Sequence, residues 1–211
     1  MKEFNLLCKY PQPEERVIPN RTIEDRILAS YRGYEFFDGA RKSGYGGMKR
    51  GNQWKATAEF IQEIYKPRRV VQFGCEKGFL LADLQDLGIE VVGVDSSSYA
   101  RSYADRMKIL PGLPPELVAN PFDLALALGL VYTLNLTDAM QCIRTMERIA
   151  HRAFITLAAY DTEEDLRLFR KWTLLGTTIL KKDEWVEVLK HCGYTGDYWF
   201  ITAEYLRLRE P

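Results

Sequence analysis

The sequence predicts an α/β fold in which helices cover both faces of a doubly wound, mostly parallel sheet. The first observation behind this prediction is Arg69–Phe73 (RVVQF), whose β-branched and aromatic residues are typical of a strand buried on both faces. A turn with two glycines, Gly74 and Gly78, follows and leads into an apolar helix. A second apolar run, residues 90–95 (EVVGVD), ends in a carboxylate. In doubly wound sheets, a strand, a glycine turn and a helix in this order form a cofactor cradle.

Length and composition indicate one domain of ordinary size. The chain has 211 residues, of which 46% are hydrophobic, and this is enough to build a core. Lysine and arginine number 29, as do aspartate and glutamate, so the zero net charge argues against nucleic acid and anionic membranes as partners. The sequence has no apolar run near the ~20 residues that span a bilayer. Its scattered cysteines lack metal-ligand spacing, so we expect reduced thiols, no metal site and a cytoplasmic protein.

Residues 1–53 are predicted to form an N-terminal extension that ends in a lid. Residues 1–20 contain Pro11, Pro13 and Pro19 and should be irregular, and a helix capped by Thr22 is expected over residues 24–32. Residues 34–52 form a loop rich in glycine and aromatic side chains. Such a loop either closes over a site to exclude water or plugs the edge of the sheet, and the sequence leaves both open.

Residues 54–211 are predicted to form the main domain as one compact unit. Helices are expected over residues 54–65, 79–87, 97–108, 137–150 (capped by Thr137), 162–172 and 183–191. Further strands are expected over residues 122–128, 153–159, 177–180 and 198–208. Residues 109–120 are rich in proline and are short for a third strand with its connection.

The turn after the first strand favours S-adenosylmethionine as the cofactor. Asp95 follows Gly74 by about twenty residues, the spacing at which an acid reaches ribose hydroxyls, although Asp95 could instead cap the next helix. Dinucleotide turns read G-x-G-x-x-G, whereas Glu76 occupies the second glycine position here. The charge of Glu76 opposes a pyrophosphate, but it is compatible with the ammonium and sulfonium groups of S-adenosylmethionine.

Two motifs, VVQFGCEKGFL (residues 70–80) and VVGVD (residues 91–95), resemble the first two motifs of class I S-adenosylmethionine-dependent methyltransferases. Residues 36–47 (FFDG with GYGG), 95–100 (DSSSYA) and 193–198 (GYTGDY) are similar to a bacterial methyltransferase family associated with surface-polysaccharide gene clusters. The departures are Gln72 in place of an acid, Glu76 in place of a glycine, and residues 48–54 (MKRGNQW), which keep Trp54 but lose the acid and the arginine of the family's Asp-Gly-Arg-Trp stretch.

The resemblance implies a Rossmann-like sheet whose last strand is antiparallel. It also implies methyl transfer from S-adenosylmethionine to a small-molecule or sugar-related acceptor, with a homodimer as one expected state. The departures suggest one alternative, a catalytically inactive methyltransferase-fold protein that serves as a binding or scaffold module. The expected cofactor-binding residues are Phe73, Gly74, Cys75, Gly78, Asp95, Ser96, Tyr45 and Gly46.

No single residue is predicted to be the catalytic base. Ligands bind beyond the carboxyl ends of the strands in open α/β sheets, so His151 and His191 are expected at the opposite end, in structural roles. The remaining candidates are Asp38, Tyr45, Tyr132, Tyr160 and Asp161. Methyl transfer can proceed largely by in-line placement and exclusion of water, so a dedicated base is not required. Lys77 is expected to be a solvated charge of the turn.

Overall fold

The computed structural model describes residues 1–11, 17–103 and 107–210. Within these residues the strands are β1 (Lys2–Glu3), β2 (Arg69–Phe73), β3 (Glu90–Val94), β4 (Lys108–Leu110), β5 (Phe122–Ala127), β6 (Ala150–Tyr160), β7 (Leu180–Lys181) and β8 (Asp197–Ile201). The helices are α1 (Ile23–Ser30), α2 (Tyr34–Phe37), α3 (Lys55–Tyr65), α4 (Phe79–Asp86), α5 (Ser98–Arg101), α6 (Pro115–Val118), α7 (Leu136–Ile149), α8 (Glu163–Trp172) and α9 (Lys182–His191). A short 3₁₀ helix, Val131–Thr133, follows β5.

The strands form one sheet in the order β1-β8-β6-β5-β2-β3-β4, with β7 pairing along the end of β6. From β2 the chain adds β3 and β4 on one side, then returns to add β5, β6 and β8 on the other. Because the order reverses between β2 and β5, a crevice opens beyond the carboxyl ends of these two strands. The doubly wound, parallel part of the prediction is therefore confirmed.

The predicted antiparallel last strand is wrong. β8 pairs with β6 and with β1 in parallel, and every strand pairing among the described residues has this direction. The chain leaves β6 through α8 and α9 and re-enters the sheet in the same direction, as helical crossovers do. After Ile201 the chain turns, with the Leu206 N–H donating to the Thr202 carbonyl at 3.0 Å. The open edge of β8 is paired instead by Lys2 and Glu3.

Two hydrophobic clusters lie on opposite faces of the sheet and follow the alternation of side chains along β2. Val70 belongs to one cluster, together with Ile61 of α3 and the buried leucines of α4. Val71 belongs to the other, together with Ile143 of α7 and Trp185 of α9. Helices on both faces are thus confirmed. None of the described helices combines the length and the apolar character that crossing a bilayer requires.

The largest difference from the predicted elements follows Asp95. The predicted helix over residues 97–108 is only α5, residues 104–106 lie outside the described part, and Lys108–Leu110 is the third strand. Pairing with β3 overrides the local helical pattern, since it satisfies backbone groups along the edge of β3. α7 is capped by Asn135, whose side chain accepts from the Asp138 N–H at 3.0 Å, rather than by Thr137.

Replacing Trp185 with phenylalanine tests how α9 is held against the sheet. Trp185 is fully buried, and its Nε1 donates to the Ala158 carbonyl at 2.8 Å. The change removes this donor and leaves a void, so we expect urea denaturation to show a loss of about 2–3 kcal/mol in the free energy of unfolding. Leu136→Ala, at a side chain that is 42% exposed, is the control and should change stability by less than about 0.5 kcal/mol. Equal losses of unfolding free energy in the two variants would contradict the conclusion that Trp185 holds α9 against the sheet.

Candidate functional site

The turn between β2 and α4 has a backbone conformation that residues with side chains rarely adopt. Gly74, Glu76 and Gly78 have φ angles of +63°, +53° and +76°. A Cβ at Gly74 would lie 2.9 Å from Leu130, and one at Gly78 would lie 2.9 Å from Met107, so both positions need glycine. Glu76 has the same left-handed backbone with a side chain attached, at a cost of about 1 kcal/mol. The turn thus keeps the shape of a glycine turn and carries a carboxylate at its centre.

Asp95, which follows β3, ties this turn to the neighbouring strand. Its Oδ2 accepts from the Glu76 N–H at 2.8 Å, and its Oδ1 accepts from the Ser97 N–H at 2.8 Å. The glycine turn and the acid therefore lie together, as their spacing predicts. The helix cap is Ser97 rather than Asp95, because the Ser97 hydroxyl accepts from the Ala100 N–H. Asp95 is only 4% exposed, and the Ser97 hydroxyl donates to the Arg32 carbonyl at 2.6 Å next to it.

A cavity of about 420 Å³ opens beyond the carboxyl ends of β2, β5 and β6, at the reversal of the strand order. Its volume is within the range of small-molecule sites. Most of the wall is apolar or aromatic, and the side chains include Trp54, Phe79, Leu80, Leu128, Phe169, Trp172, Ile201 and Leu206. A second hollow, of about 80 Å³, shares Tyr45, Glu76, Gly129 and Tyr132 with the first and is also lined by Arg21, Arg32 and Arg41.

Two features of the cavity wall suit a polar ligand group. Gln72 of β2 is 5% exposed, and its Oε1 has no hydrogen-bond partner among the described residues. A buried carbonyl oxygen without a donor costs about 1–3 kcal/mol, which a ligand N–H can recover. Gly129, which follows the neighbouring strand β5, has a φ of +68°, and a Cβ there would meet nothing within 4 Å. The Gly129 N–H donates to Thr156 Oγ1 at 2.7 Å, so this open position is held in place.

Residues 33–53, here called the lid segment, cover this end of the sheet and are anchored by a buried ion pair. Lys77 is 2% exposed, and its Nζ donates to the two carboxylate oxygens of Asp38 at 2.7 and 2.6 Å and to the Met48 carbonyl at 3.0 Å. The Tyr99 hydroxyl also donates to Asp38, at 2.6 Å, and the ammonium lies 4.0 Å from the centroid of the Tyr103 ring. The expectation that Lys77 is a solvated charge is therefore wrong.

The ion pair keeps Asp38 ionised. Burial alone would raise the pKa of Asp38, but the hydrogen bonds from Lys77 and Tyr99 outweigh it and lower the pKa to about 2. A carboxylate with so low a pKa is a poor proton acceptor near neutral pH. Asp38 thus joins the lid segment to Lys77 and Tyr99 as a carboxylate. Rings of the same segment pack on one another, with Phe36 and Tyr45 centroids 5.1 Å apart.

A second contact between the lid segment and the turn joins two ionisable groups at the cavity. The Tyr45 hydroxyl donates to Glu76 Oε1. Burial raises the pKa of Glu76 to about 7, and the charge of Asp95 adds to this rise, while the Tyr45 hydrogen bond and the charges of Arg32 and Lys77 oppose it. Burial and the charge of Glu76 also raise the pKa of Tyr45 well above its usual value.

Solved structures share this architecture. An S-adenosylmethionine-dependent methyltransferase from Archaeoglobus fulgidus matches with a TM-score of 0.53 and 16% identity over 69% of this chain and 69% of its own. The chain has the fold of S-adenosylmethionine-dependent methyltransferases. A proposed O-methyltransferase from Nostoc punctiforme PCC 73102 matches with a TM-score of 0.52 and 18% identity over 68% of this chain. The match spans only 50% of that protein.

A third solved structure with the methyltransferase fold contains the demethylated cofactor. Magnesium protoporphyrin IX methyltransferase from Synechocystis PCC 6803, with bound S-adenosylhomocysteine, matches with a TM-score of 0.50 and 16% identity over 81% of this chain and 75% of its own. No family model and no curated protein matches the chain. Identities this low show the fold alone, so the activity must be argued from the cavity.

Three of the predicted cofactor-binding residues, Tyr45, Gly74 and Cys75, line the cavity of this methyltransferase fold. The side chain of Cys75 packs against β3: a Cβ built at Gly93 would lie 2.5 Å from the Cys75 Sγ. Cys75 therefore faces the cavity with its backbone. Burial also raises the pKa of the Cys75 thiol. The other predicted residues lie outside the cavity wall: Phe73, Gly78 and Asp95 are buried, and Gly46 and Ser96 are exposed. Their role in cofactor binding stays a prediction.

The structure places some of the candidate bases at the cavity and others away from it. Tyr45 and Tyr132 line the cavity, whereas Asp161 pairs with Lys182 at the surface, at 2.5 Å. His151 lies at the amino end of β6 and His191 ends α9, and both are exposed. Gln72, Glu76 and Lys77 also line the cavity, although they are not among the predicted cofactor-binding residues. The sequence signals at the first two are their departures from the residues usual at these positions and, for Glu76, its charge.

Removing one partner of the Lys77–Asp38 pair should destabilise the protein more than removing both. Asp38→Asn leaves a buried ammonium without its counter-charge, so we expect urea denaturation at neutral pH to show a loss of about 3–5 kcal/mol. The double variant Asp38→Asn/Lys77→Met should recover much of this loss. Lys182→Met, in the exposed pair with Asp161, is the control and should stay within about 1 kcal/mol of the unmodified protein.

The pH dependence of the protein's stability is a second test of the Lys77–Asp38 pair. Because the pKa of Asp38 is lowered from 3.8 to about 2 in the folded state, the pair stabilises the protein above pH 3.8 and this contribution is lost as the pH falls toward 2. The Asp38→Asn variant should lack this part of the acid dependence. A single variant that is as stable as the double variant would show that the pair does not anchor the lid segment.

Proposed function

We propose that this protein is an S-adenosylmethionine-dependent methyltransferase that acts on a small-molecule acceptor. The observation that carries the proposal is the cavity at the reversal of the strand order. There the unpartnered Gln72 Oε1, the turn at Gly74 and the open position at Gly129 face one space. The solved methyltransferases with the same fold support the class of cofactor.

The residues at this cavity fit the methionine end of the cofactor. Gln72 Oε1 is a buried acceptor to which no described residue donates a hydrogen bond, and this suits an ammonium group. The carboxylate of Glu76 adds negative charge beside it, in favour of an ammonium and a sulfonium. When bound, S-adenosylmethionine supplies a methyl group activated by the positive charge on sulfur. Tyr45 of the lid segment and Trp54 cover the cavity and keep water away from the reacting groups.

Asp95 is proposed to bind the ribose hydroxyls at the other end of the cofactor. Each of its oxygens accepts one backbone N–H and has a further lone pair for another donor. Asp95 is 4% exposed next to the segment around Arg32, so this segment must move before a ribose can reach the acid. This segment and the adjoining lid segment are accordingly proposed to open and close together during turnover.

Isothermal titration with S-adenosylhomocysteine tests the proposed cofactor. We expect saturable binding at micromolar concentrations, because the wall presents an unused acceptor and preformed space. The absence of heat at millimolar concentrations would overturn the proposal and leave a methyltransferase fold without its cofactor.

Gln72→Leu should weaken the binding of S-adenosylhomocysteine about 10-fold or more, since a hydrogen bond to a charged group contributes about 1.5–3 kcal/mol. The same change should raise the melting temperature of the free protein, because it removes a buried acceptor without a donor. Thr57→Val is the matched control: the Thr57 hydroxyl is also buried and unpartnered, but it lies away from the cavity wall. This variant should gain stability and keep its affinity. Unchanged affinity in both variants would exclude Gln72 from the site.

A further inference from the structure

We propose that the methyl acceptor carries an oxyanion, a carboxylate or a phosphate, and that Arg32 binds this group in the small hollow beside the cavity. The inference rests on the proposed function, because it assigns the hollow to the acceptor of the same enzyme. It adds a binding residue outside the predicted set and narrows the acceptor to anionic molecules.

The charge of the hollow is the first observation. Its wall includes three arginines, Arg21, Arg32 and Arg41. Among the described residues of this wall, the acidic side chain is that of Glu76. The whole chain has as many acidic as basic residues, so the local excess of arginine does not follow from its composition. Guanidinium groups bind carboxylates and phosphates through paired hydrogen bonds, and their excess at one hollow favours an anionic ligand group.

Arg32 has hydrogen-bonding capacity left for such a group. Its Nη2 donates to Thr133 Oγ1 at 2.9 Å, and its side chain forms no ion pair with any described residue. A guanidinium has five N–H donors, so several of them remain for a ligand after the bond to Thr133. This bond also holds the side chain at the hollow, which reduces the conformational entropy lost when a ligand binds.

The backbone of Arg32 supports a functional role for its side chain. Arg32 has a φ of +47°, and its N–H donates to the Ala29 carbonyl at 3.0 Å just beyond the end of α1. Glycine is the usual residue at such a left-handed position, so an arginine there is strained. The Arg32 carbonyl accepts from the Ser97 hydroxyl at 2.6 Å, which fixes the point from which the side chain reaches the hollow. A strained arginine without an ion pair indicates a function for its guanidinium.

Arg21 and Arg41 are oriented by backbone carbonyls around the same hollow. Arg21 Nη1 donates to the Trp172 carbonyl, and Arg41 Nη1 donates to the Gly44 carbonyl at 2.8 Å. These bonds keep two further positive charges at the wall. Their attraction for an oxyanion adds to the hydrogen bonds that Arg32 can donate.

The strand order separates the hollow from the proposed cofactor contacts. Those contacts lie on and after β2, at Gln72 and Gly74, and after β3, at Asp95. The wall of the hollow is built on the other side of β2, by the segment 129–133 after β5 and by residues 172–175 at the end of α8, which follows β6. The hollow joins the cavity through the four residues that line both. A molecule held in the hollow therefore enters the cavity from the side away from Asp95.

The size of the hollow limits what it can hold. Its volume of about 80 Å³ is room for a few water molecules, so it accommodates an oxyanion but not a whole acceptor. The rest of the molecule must lie in the larger cavity, whose wall is mostly apolar. These two requirements describe a small acid with an apolar part, since a neutral molecule would leave the positive charge of the hollow unused.

Matched acid and amide probes test the inference. With the full-length protein saturated with S-adenosylhomocysteine, NMR titrations should show that benzoate or phenyl phosphate binds about 10-fold or more tightly than benzamide, which has the same ring without the charge. The acid that binds more tightly identifies the oxyanion as a carboxylate or a phosphate. Arg32→Gln should abolish the preference for the acid. Arg32→Lys should retain part of it, because lysine keeps the charge but lacks the planar pair of donors.

The matched control for these variants is Arg26→Gln. Arg26 lies on α1 and also donates to a backbone carbonyl, that of Leu174 at 3.2 Å, but it is not part of the wall of the hollow. This variant should keep the preference for the acid within about 2-fold. Arg32→Gln should also bind S-adenosylhomocysteine within about 2-fold of the unmodified protein, since Arg32 is assigned to the acceptor.

The outcomes separate the two proposals. If S-adenosylhomocysteine binds but neither acid is preferred to the amide, or the preference persists in Arg32→Gln, the inference is overturned and the methyltransferase assignment stands. If Arg32→Gln weakens the binding of S-adenosylhomocysteine by about 10-fold or more, the hollow binds the carboxylate of the cofactor, and the inference is again overturned. If S-adenosylhomocysteine does not bind the unmodified protein, both proposals fail. Should Arg32→Gln not fold, Arg32→Lys decides, and an unchanged preference in that variant overturns the inference.

Discussion

The carboxylate of Asp95 is the contact on which the candidate site depends, because it joins the ends of two neighbouring strands. Loops at strand ends have few backbone hydrogen bonds of their own and are mobile unless something holds them. Here one oxygen holds the Glu76 N–H and the other holds the Ser97 N–H. The first of these bonds fixes the left-handed backbone at Glu76 and thereby directs its side chain into the cavity. The ionisable group of the site is thus positioned by an acid 19 residues further along the chain.

Two carboxylates meet the lid segment, and their surroundings give them opposite properties. Asp38 accepts from a buried ammonium and a hydroxyl, so its pKa falls to about 2 and it stays ionised. For Glu76, burial and the charge of Asp95 raise the pKa to about 7, while the hydrogen bond from Tyr45 and the charges of Arg32 and Lys77 oppose the rise. The ion pair and the Tyr45–Glu76 hydrogen bond both join the lid segment to the turn after β2.

Much of the fold could be predicted from the sequence, because its strands and helices have clear hydrophobic patterns. Arg69–Phe73 was predicted with its exact bounds, and the convergence of Gly74 and Asp95 followed from the general geometry of parallel sheets. The sequence could not show that the last strand is parallel, because the direction of β8 depends on how the chain crosses the sheet through α9. Lys77 was misjudged for a related reason: its partner, Asp38, lies 39 residues away in the chain.

By itself the sequence determined most of the longer strands and helices, where the glycine turn lies and which acid approaches it. These features depend on local periodicity and on the fixed handedness of strand–helix–strand units. Only the tertiary structure decided that Asp95 bonds to the turn backbone, that Gln72 is left without a donor, and that Glu76 meets Tyr45 at the cavity. Burial and hydrogen bonding depend on distances between residues far apart in the chain, and a local pattern does not contain those distances.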